Sequence, residues 1–222
     1  MYPIYLDNHI LVVNKPPGML SQADRTGDLD ALTYWKAYIK KEFDKPGNVY
    51  LGLVHRLDRP ASGMMIFART SKAAERLSRQ FREHEVKKEY LAIVEKEVKG
   101  GEILIDHLVK ENEKVRIADA SEKEARFAEL SFTPLKTSNE LTLLSIQLKT
   151  GRPHQIRIQL ASRGMHILGD FRYGSSQDLD GKNLALHSFR LGLTHPVRKT
   201  EMKWMCPVPE SWPNELHPQD EK

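Results

Sequence analysis

Apolar and polar residues alternate over two stretches late in the chain, ARFAELSFTPL (125–135) and ELTLLSIQLKT (140–150). A period of two sends successive side chains to opposite faces, so each stretch predicts a strand with one buried face. Ser138-Asn139 falls in the turn between them. IYLDNHILVV (4–13) predicts two short strands joined at Asp7-Asn8, a hairpin turn signal. Further strands are predicted at YLGLVHRL (50–57), GMMIFART (63–70), YLAIVE (90–95) and LALHSFRLGLTHP (184–196), the last as one strand or two.

Three segments follow the helical period instead. In LDALTYWKAYIKKEF (29–43) the apolar positions are Leu32, Trp35, Ala37, Ile39 and Phe43. In SKAAERLSRQFREHEV (71–86), Thr70 or Ser71 is placed to cap, and Ala74, Leu77, Ser78 and Phe81 form the inner stripe. Its outer face carries Lys72, Arg76, Arg79 and Arg82. GRPHQIRIQLASRG (151–164) predicts a helix with Pro153 at its first position and Gly164 at its end. NKPPGM breaks the chain after the first hairpin. Strands do not alternate with helices in βαβ fashion, which argues against a doubly wound sheet. The expected class is α+β, with a mixed, largely antiparallel sheet flanked by helices and loops.

Composition adds limits. The chain has 222 residues, 40% hydrophobic and 29% charged, which is ordinary for a globular protein. We expect one domain over 1–207 and a fraying tail over 208–222; the C-terminal end CPVPESWPNELHPQDEK (206–222) has four prolines and a polar finish. The single cysteine excludes an intramolecular disulfide and fits a reducing compartment. No apolar run approaches the length of a membrane span, and the N-terminus lacks the features of a signal peptide. A cytoplasmic protein is expected. The net charge of +4 is mild, but Lys149 to Arg163 holds four basic side chains and no acid. A polyanion such as RNA or DNA would fit that patch; solvated helix faces would explain it equally well.

The densest chemistry is HRLDRPASG (55–63). If this stretch is extended, Arg56 and Asp58 project to one side and His55 and Leu57 to the other. A guanidinium within a few Å favours an ionised carboxylate. Asp58 is then unsuited to donate a proton and suited to act as nucleophile, base or electrostatic stabiliser. A structural Arg–Asp bridge closing a turn is the competing reading. Pro60 stiffens the bend and Gly63 lets the backbone turn closely before the strand, which favours a positioned reacting group. His55, His154 and His187 show no metal-ligand spacing, so no metal is expected.

HRLDRPASG resembles the signature of the RluA family of pseudouridine synthases, HRLDRxTSG. KKEYLAIV (87–94) is similar to that family's K-x-Y-x-A segment, TGRPHQIRIQL (150–160) to its TGRxHQIRxH, LGDFRYG (168–174) to its GDxxYG, and LALHSFRLGLTHP to its LHAxxLxxxHP. VVNKPPGM also matches, and the segments occur in the family's order over most of residues 10 to 205. Ala61 stands where the family usually has threonine, and Gln159 where histidine is common. The chain resembles a short form without the N-terminal S4 RNA-binding domain.

The resemblance implies the pseudouridine synthase fold and isomerisation of a uridine in tRNA or rRNA, without cofactor. It implies that Asp58 is the essential carboxylate, forming a covalent adduct or deprotonating the sugar. Tyr90 would stack on the extruded base, Arg157 would pair with Asp58, and Arg56 would enter the place that the uridine vacates. Arg59, Arg152, His154 and Lys87 would bind RNA. Asp170 would hydrogen-bond the turn between Gly169 and Gly174, and Tyr173 would serve packing. The basic 71–86 helix could line the RNA path or merely aid solubility. A monomer is expected, with no membrane partner. Two competing functions stay open. One is a base-releasing glycosylase pairing Asp58 with a second carboxylate such as Asp170, against which stands the lack of a second specialised carboxylate motif. The other is an RNA-binding module without activity, against which stand intact Asp58, Tyr90 and Arg157.

Overall fold

The computed structural model describes residues 1–112 and 114–218. In chain order its elements are β1 (Tyr5–Leu6), β2 (Ile10–Lys15), α1 (Ala31–Glu42), β3 (Gly52–Leu53), β4 (Ser62–Ala68) and α2 (Ser71–Arg82). Then follow β5 (Lys87–Val94), β6 (Glu102–Glu111), β7 (Lys114–Ala118), β8 (Arg126–Ser138), β9 (Leu141–Leu148), α3 (Gln155–Ala161), β10 (Leu186–Thr194) and β11 (Glu201–Met205). The α+β expectation is met. By contacts the chain divides into two compact units, Met1–Lys87 with Arg190–Pro207, and Lys88–Phe189 with the chain from Val208 onward. No described helix is long and apolar enough to cross a membrane.

In the first unit β2 pairs antiparallel with both β1 and β4, and β10 pairs antiparallel with β11 from Arg190 onward. The turn after β1 forms as the sequence predicts, because Asp7 Oδ1 accepts from the backbone N–H of both His9 and Ile10 at 2.8 Å. One face of the sheet buries Ile10, Val12, Met64, Ile66, Leu191 and Leu193 with Ala73 and Leu77 of α2 and Cys206. Every residue of β4 is buried, including those on the other face, so the strand reads as a continuous apolar run. Thr70 caps α2 by accepting from Ala73 N–H. The buried stripe of α2 is Ala73, Leu77 and Gln80 rather than the expected Ala74, Leu77, Ser78 and Phe81, although Ala74 and Phe81 pack at its edge. Gln80 goes inside because its amide pairs with both the N–H and the C=O of Thr194, at 3.0 and 2.8 Å. Asp30 caps α1, whose buried residues are Ala31, Trp35 and Ile39.

In the second unit all pairings are antiparallel, in the order β5-β9-β8-β6-β7. The β8–β9 hairpin turns on Asn139 and Glu140, both at positive φ, the twist that suits a two-residue turn. Helix α3 lays Ile158 on Leu108, Val115 and Ala128 of the sheet. It is shorter than the sequence suggests. His154 sits at φ +50°, in the left-handed region, so Pro153 precedes the helix rather than starting it. Trp212 and Leu216 are buried, and Trp212 meets His187 ring to ring at 6.2 Å. The last residues, 219–222, lie outside the described part.

Candidate functional site

Asp58 stands half-buried on the loop between β3 and β4. That loop is held by its backbone at several points, all within the first unit. The Asp58 carbonyl accepts from Ala61 N–H at 3.1 Å, closing a turn with Pro60 inside. Ser21 Oγ donates to the carbonyl of Leu57 at 2.7 Å and accepts from its N–H at 3.1 Å. His55 Nε2 accepts from Ile66 N–H at 3.0 Å, and its ring stacks on Phe81 with centroids 4.6 Å apart. His55 is therefore a fastening for the motif at the entry to β4.

The sequence reading did not single out Lys15, which closes this site from beneath. It ends β2 with none of its surface exposed. Its Nζ donates to the carbonyls of Pro16, Met19 and Arg59 at 3.0, 2.8 and 3.2 Å. Three donors meet three acceptors, which ties the Pro-Pro-Gly loop to the Asp58 loop. Gly18 N–H adds a bond to the Arg59 carbonyl, and Arg59 Nε returns one to the Gly18 carbonyl. Burial pushes the Lys15 ammonium down to about 7, against which the charge of Asp58 pulls upward. The carboxylate of Asp58 therefore faces a fixed cation of its own unit. The signal that could have found Lys15 is a lysine closing a strand that opens on four apolar residues, ILVVNK, just before two prolines.

The basic residues beside Asp58 differ. Arg56 is exposed, and among the described residues its guanidinium makes no hydrogen bond or ion pair. Arg59 is joined to Asp28 at 2.6 Å, both side chains half-exposed. Lys87 is exposed at the end of the first unit, facing a small hollow lined also by Glu85, Thr194 and Lys203.

The second unit holds Tyr90, Arg157, Arg152 and His154. Tyr90 is buried on β5, opposite Ile146 of β9. Arg157 and Asp170 are both buried and form a two-pronged pair, Nε and Nη2 each 2.7 Å from a carboxylate oxygen. Asp170 bonds the turn as expected, through its backbone carbonyl, and its carboxylate in addition holds the arginine. Tyr173 is more than packing. Its ring lies under the Arg157 guanidinium at 4.9 Å, and its hydroxyl bonds His154 Nδ1 at 2.8 Å and accepts from Val115 N–H at 3.0 Å. The guanidinium is thus gripped at its edge and on its flat side. Arg152 donates from Nε to the carbonyl of Phe127 at 2.9 Å. Gln159, completely buried, donates to Asp106 at 2.7 Å, and Asp106 also pairs with Arg163. Its place is structural.

The family described as RNA pseudouridylate synthase matches residues 9–162. Among curated proteins the chain is similar to a ribosomal large subunit pseudouridine synthase C of Buchnera aphidicola, 33% identical over 96% of this chain and 69% of that protein. It is also similar to a tRNA pseudouridine synthase C of Vibrio parahaemolyticus, 28% identical over 94% of this chain and 91% of the other. Among solved structures it resembles human RNA Pseudouridylate Synthase Domain Containing 4, with a TM-score of 0.77 and 24% identity, covering 94% of this chain and 88% of that one.

Proposed function

The chain belongs to the RNA pseudouridylate synthase family, and from that premise we propose that it isomerises a uridine of ribosomal or transfer RNA with Asp58 as the essential carboxylate. The observation that carries the assignment is the Asp58 loop itself: a half-buried acid on a backbone held at Leu57, Arg59 and Ala61, above the fixed ammonium of Lys15. A reacting group benefits from this rigidity, because small displacements lower rates steeply.

A base within a stack is out of reach, so the uridine is first extruded, at a cost of a few kcal/mol. Arg56, exposed and unpartnered among the described residues, takes the place the base leaves; a flat guanidinium stacks well there. Tyr90 stacks on the extruded uracil, worth about 1 to 3 kcal/mol. The bond from C1′ to N1 breaks, the ring turns, and C1′ joins C5. The proton on C5 leaves and N1 gains one, so the product is an isomer. Asp58 serves either by attack at C1′ or by removing a sugar proton. Arg157, gripped by Asp170 and Tyr173, supplies positive charge in a fixed orientation. We read the enzyme as cytoplasmic, in keeping with its single, free cysteine, and as a monomer.

The test is Asp58→Asn. The variant should fold and bind RNA, and should lose pseudouridine formation by at least about 10³-fold, measured on RNA from cells lacking the gene. Full activity would refute the role of Asp58. Release of free uracil would favour a hydrolytic enzyme instead.

A further inference from the structure

Lys88 presents an unresolved need. It lies on β5 two residues before Tyr90, so both side chains leave the same face of the strand, about 7 Å apart along it. Only 9% of its surface is exposed. Burial holds the ammonium below its ordinary value, with no carboxylate acting to restore it. Among the described residues it makes no hydrogen bond or ion pair. Its stem is buried while the ammonium is not among the fully buried unpartnered atoms, so the charge keeps a little surface of its own; a lysine this deep with no protein acceptor is uncommon.

What borders it explains why. A Cβ placed on Gly151 would sit 3.7 Å from Lys88 Nζ. Gly151 is exposed and has none, so the ammonium reaches toward the surface there. The Gly151 N–H also lacks a partner among the described residues. Arg152 follows directly, and no acid occurs between Lys149 and Arg163. The Lys88 ammonium thus lies beside exposed backbone at Gly151, whose N–H is bare among the described residues, with no side chain between them.

We infer that Lys88, with the Gly151 amide, binds a phosphodiester oxygen of the RNA strand next to the uridine that stacks on Tyr90. A phosphate supplies the anion that the protein withholds, and the spacing from Tyr90 is within the span of one nucleotide. Lys88 then anchors the strand, while Lys87, one residue earlier, is exposed and lies in the other unit. The inference rests on the RNA-modifying reading above.

The experiment compares Lys88→Met, Lys88→Gln and Lys88→Arg in the full chain with the unaltered protein. RNA from cells lacking the gene serves as probe. Affinity is measured across salt concentrations, and single-turnover pseudouridine formation at saturating RNA. Loss of one phosphate contact should flatten the slope of log affinity against log salt by about 0.7, the value for a single strand. Met and Gln should both weaken binding about tenfold at 0.1 M salt and leave the saturated rate within about threefold, while Arg retains the slope. Affinity and slope equal to the unaltered protein in Met and Gln would overturn the inference. If the unaltered protein itself forms no pseudouridine, the catalytic reading fails, and the salt slopes still decide the role of Lys88.

Discussion

Two lysines have been withdrawn from water, one in each unit, and their surroundings are opposite. Lys15 has three carbonyl oxygens for its three donors and Asp58 for its charge. Lys88 has neither. Burial is deeper at Lys15, which has no exposed surface, than at Lys88, and the compensation differs as well. Where the fold supplies acceptors, the cation is a structural member. Where it does not, a ligand must bring them. The pair thus separates a residue that shapes the site from one that waits for the substrate.

Four substitutions or conditions would sharpen or break this contrast. The largest loss is expected from Asp170→Ala. It removes the carboxylate that holds both prongs of the Arg157 guanidinium, and breaking such a buried pair costs about 3 to 5 kcal/mol in denaturant unfolding. Lys15→Met should cost about 3 kcal/mol, because three loop carbonyls lose their donor. Stability unchanged in Lys15→Met would mean that its bonds do not hold the Asp58 loop.

Asp7 offers the mirror image, a carboxylate with many donors. Burial raises its affinity for protons, but the N–H groups of His9 and Ile10, the Tyr5 hydroxyl and His195 outweigh this and bring it down to about 2 from 3.8. Its folded value is the lower one. The stability it contributes is therefore present above about pH 4 and is lost as pH falls through about 2, roughly 2 kcal/mol in all. The gap in unfolding free energy between the unaltered protein and Asp7→Asn should shrink on going from pH 7 to pH 3. The smallest effect has the opposite sign. Lys88→Met removes a charge with no partner and should stabilise the RNA-free protein by about 1 kcal/mol, seen as a higher melting temperature. A loss instead would show that Lys88 has a structural role.

Local pattern told much of the fold. The β8–β9 hairpin, the Asp7 turn and both long helices follow from periodicity and turn chemistry. Other elements were hidden. In β6 the outward Ile103 and Ile105 are as apolar as the buried Leu104 and Leu108, so EILIDHLVKE gives no alternation to read. The inner face of α2 was read one position off, because a buried Gln80 looks polar until Thr194 arrives to pair with it. In the site, Asp58 was legible because its chemistry sits within one motif. The Arg157–Asp170 grip and the hooks of Lys15 were not, since partners such as Lys15 and Arg59 lie 44 residues apart and meet only on folding.

Cys206 has a use beyond filling the first unit's core. It is the chain's single cysteine, and burial pushes its thiol up to about 12. A thiolate is what modifying reagents attack, so the native protein should resist them. Labelling at position 206 can proceed only while that core is open, which makes its rate a built-in clock for local opening around β4 and β10. The molecule needs no added probe for that measurement.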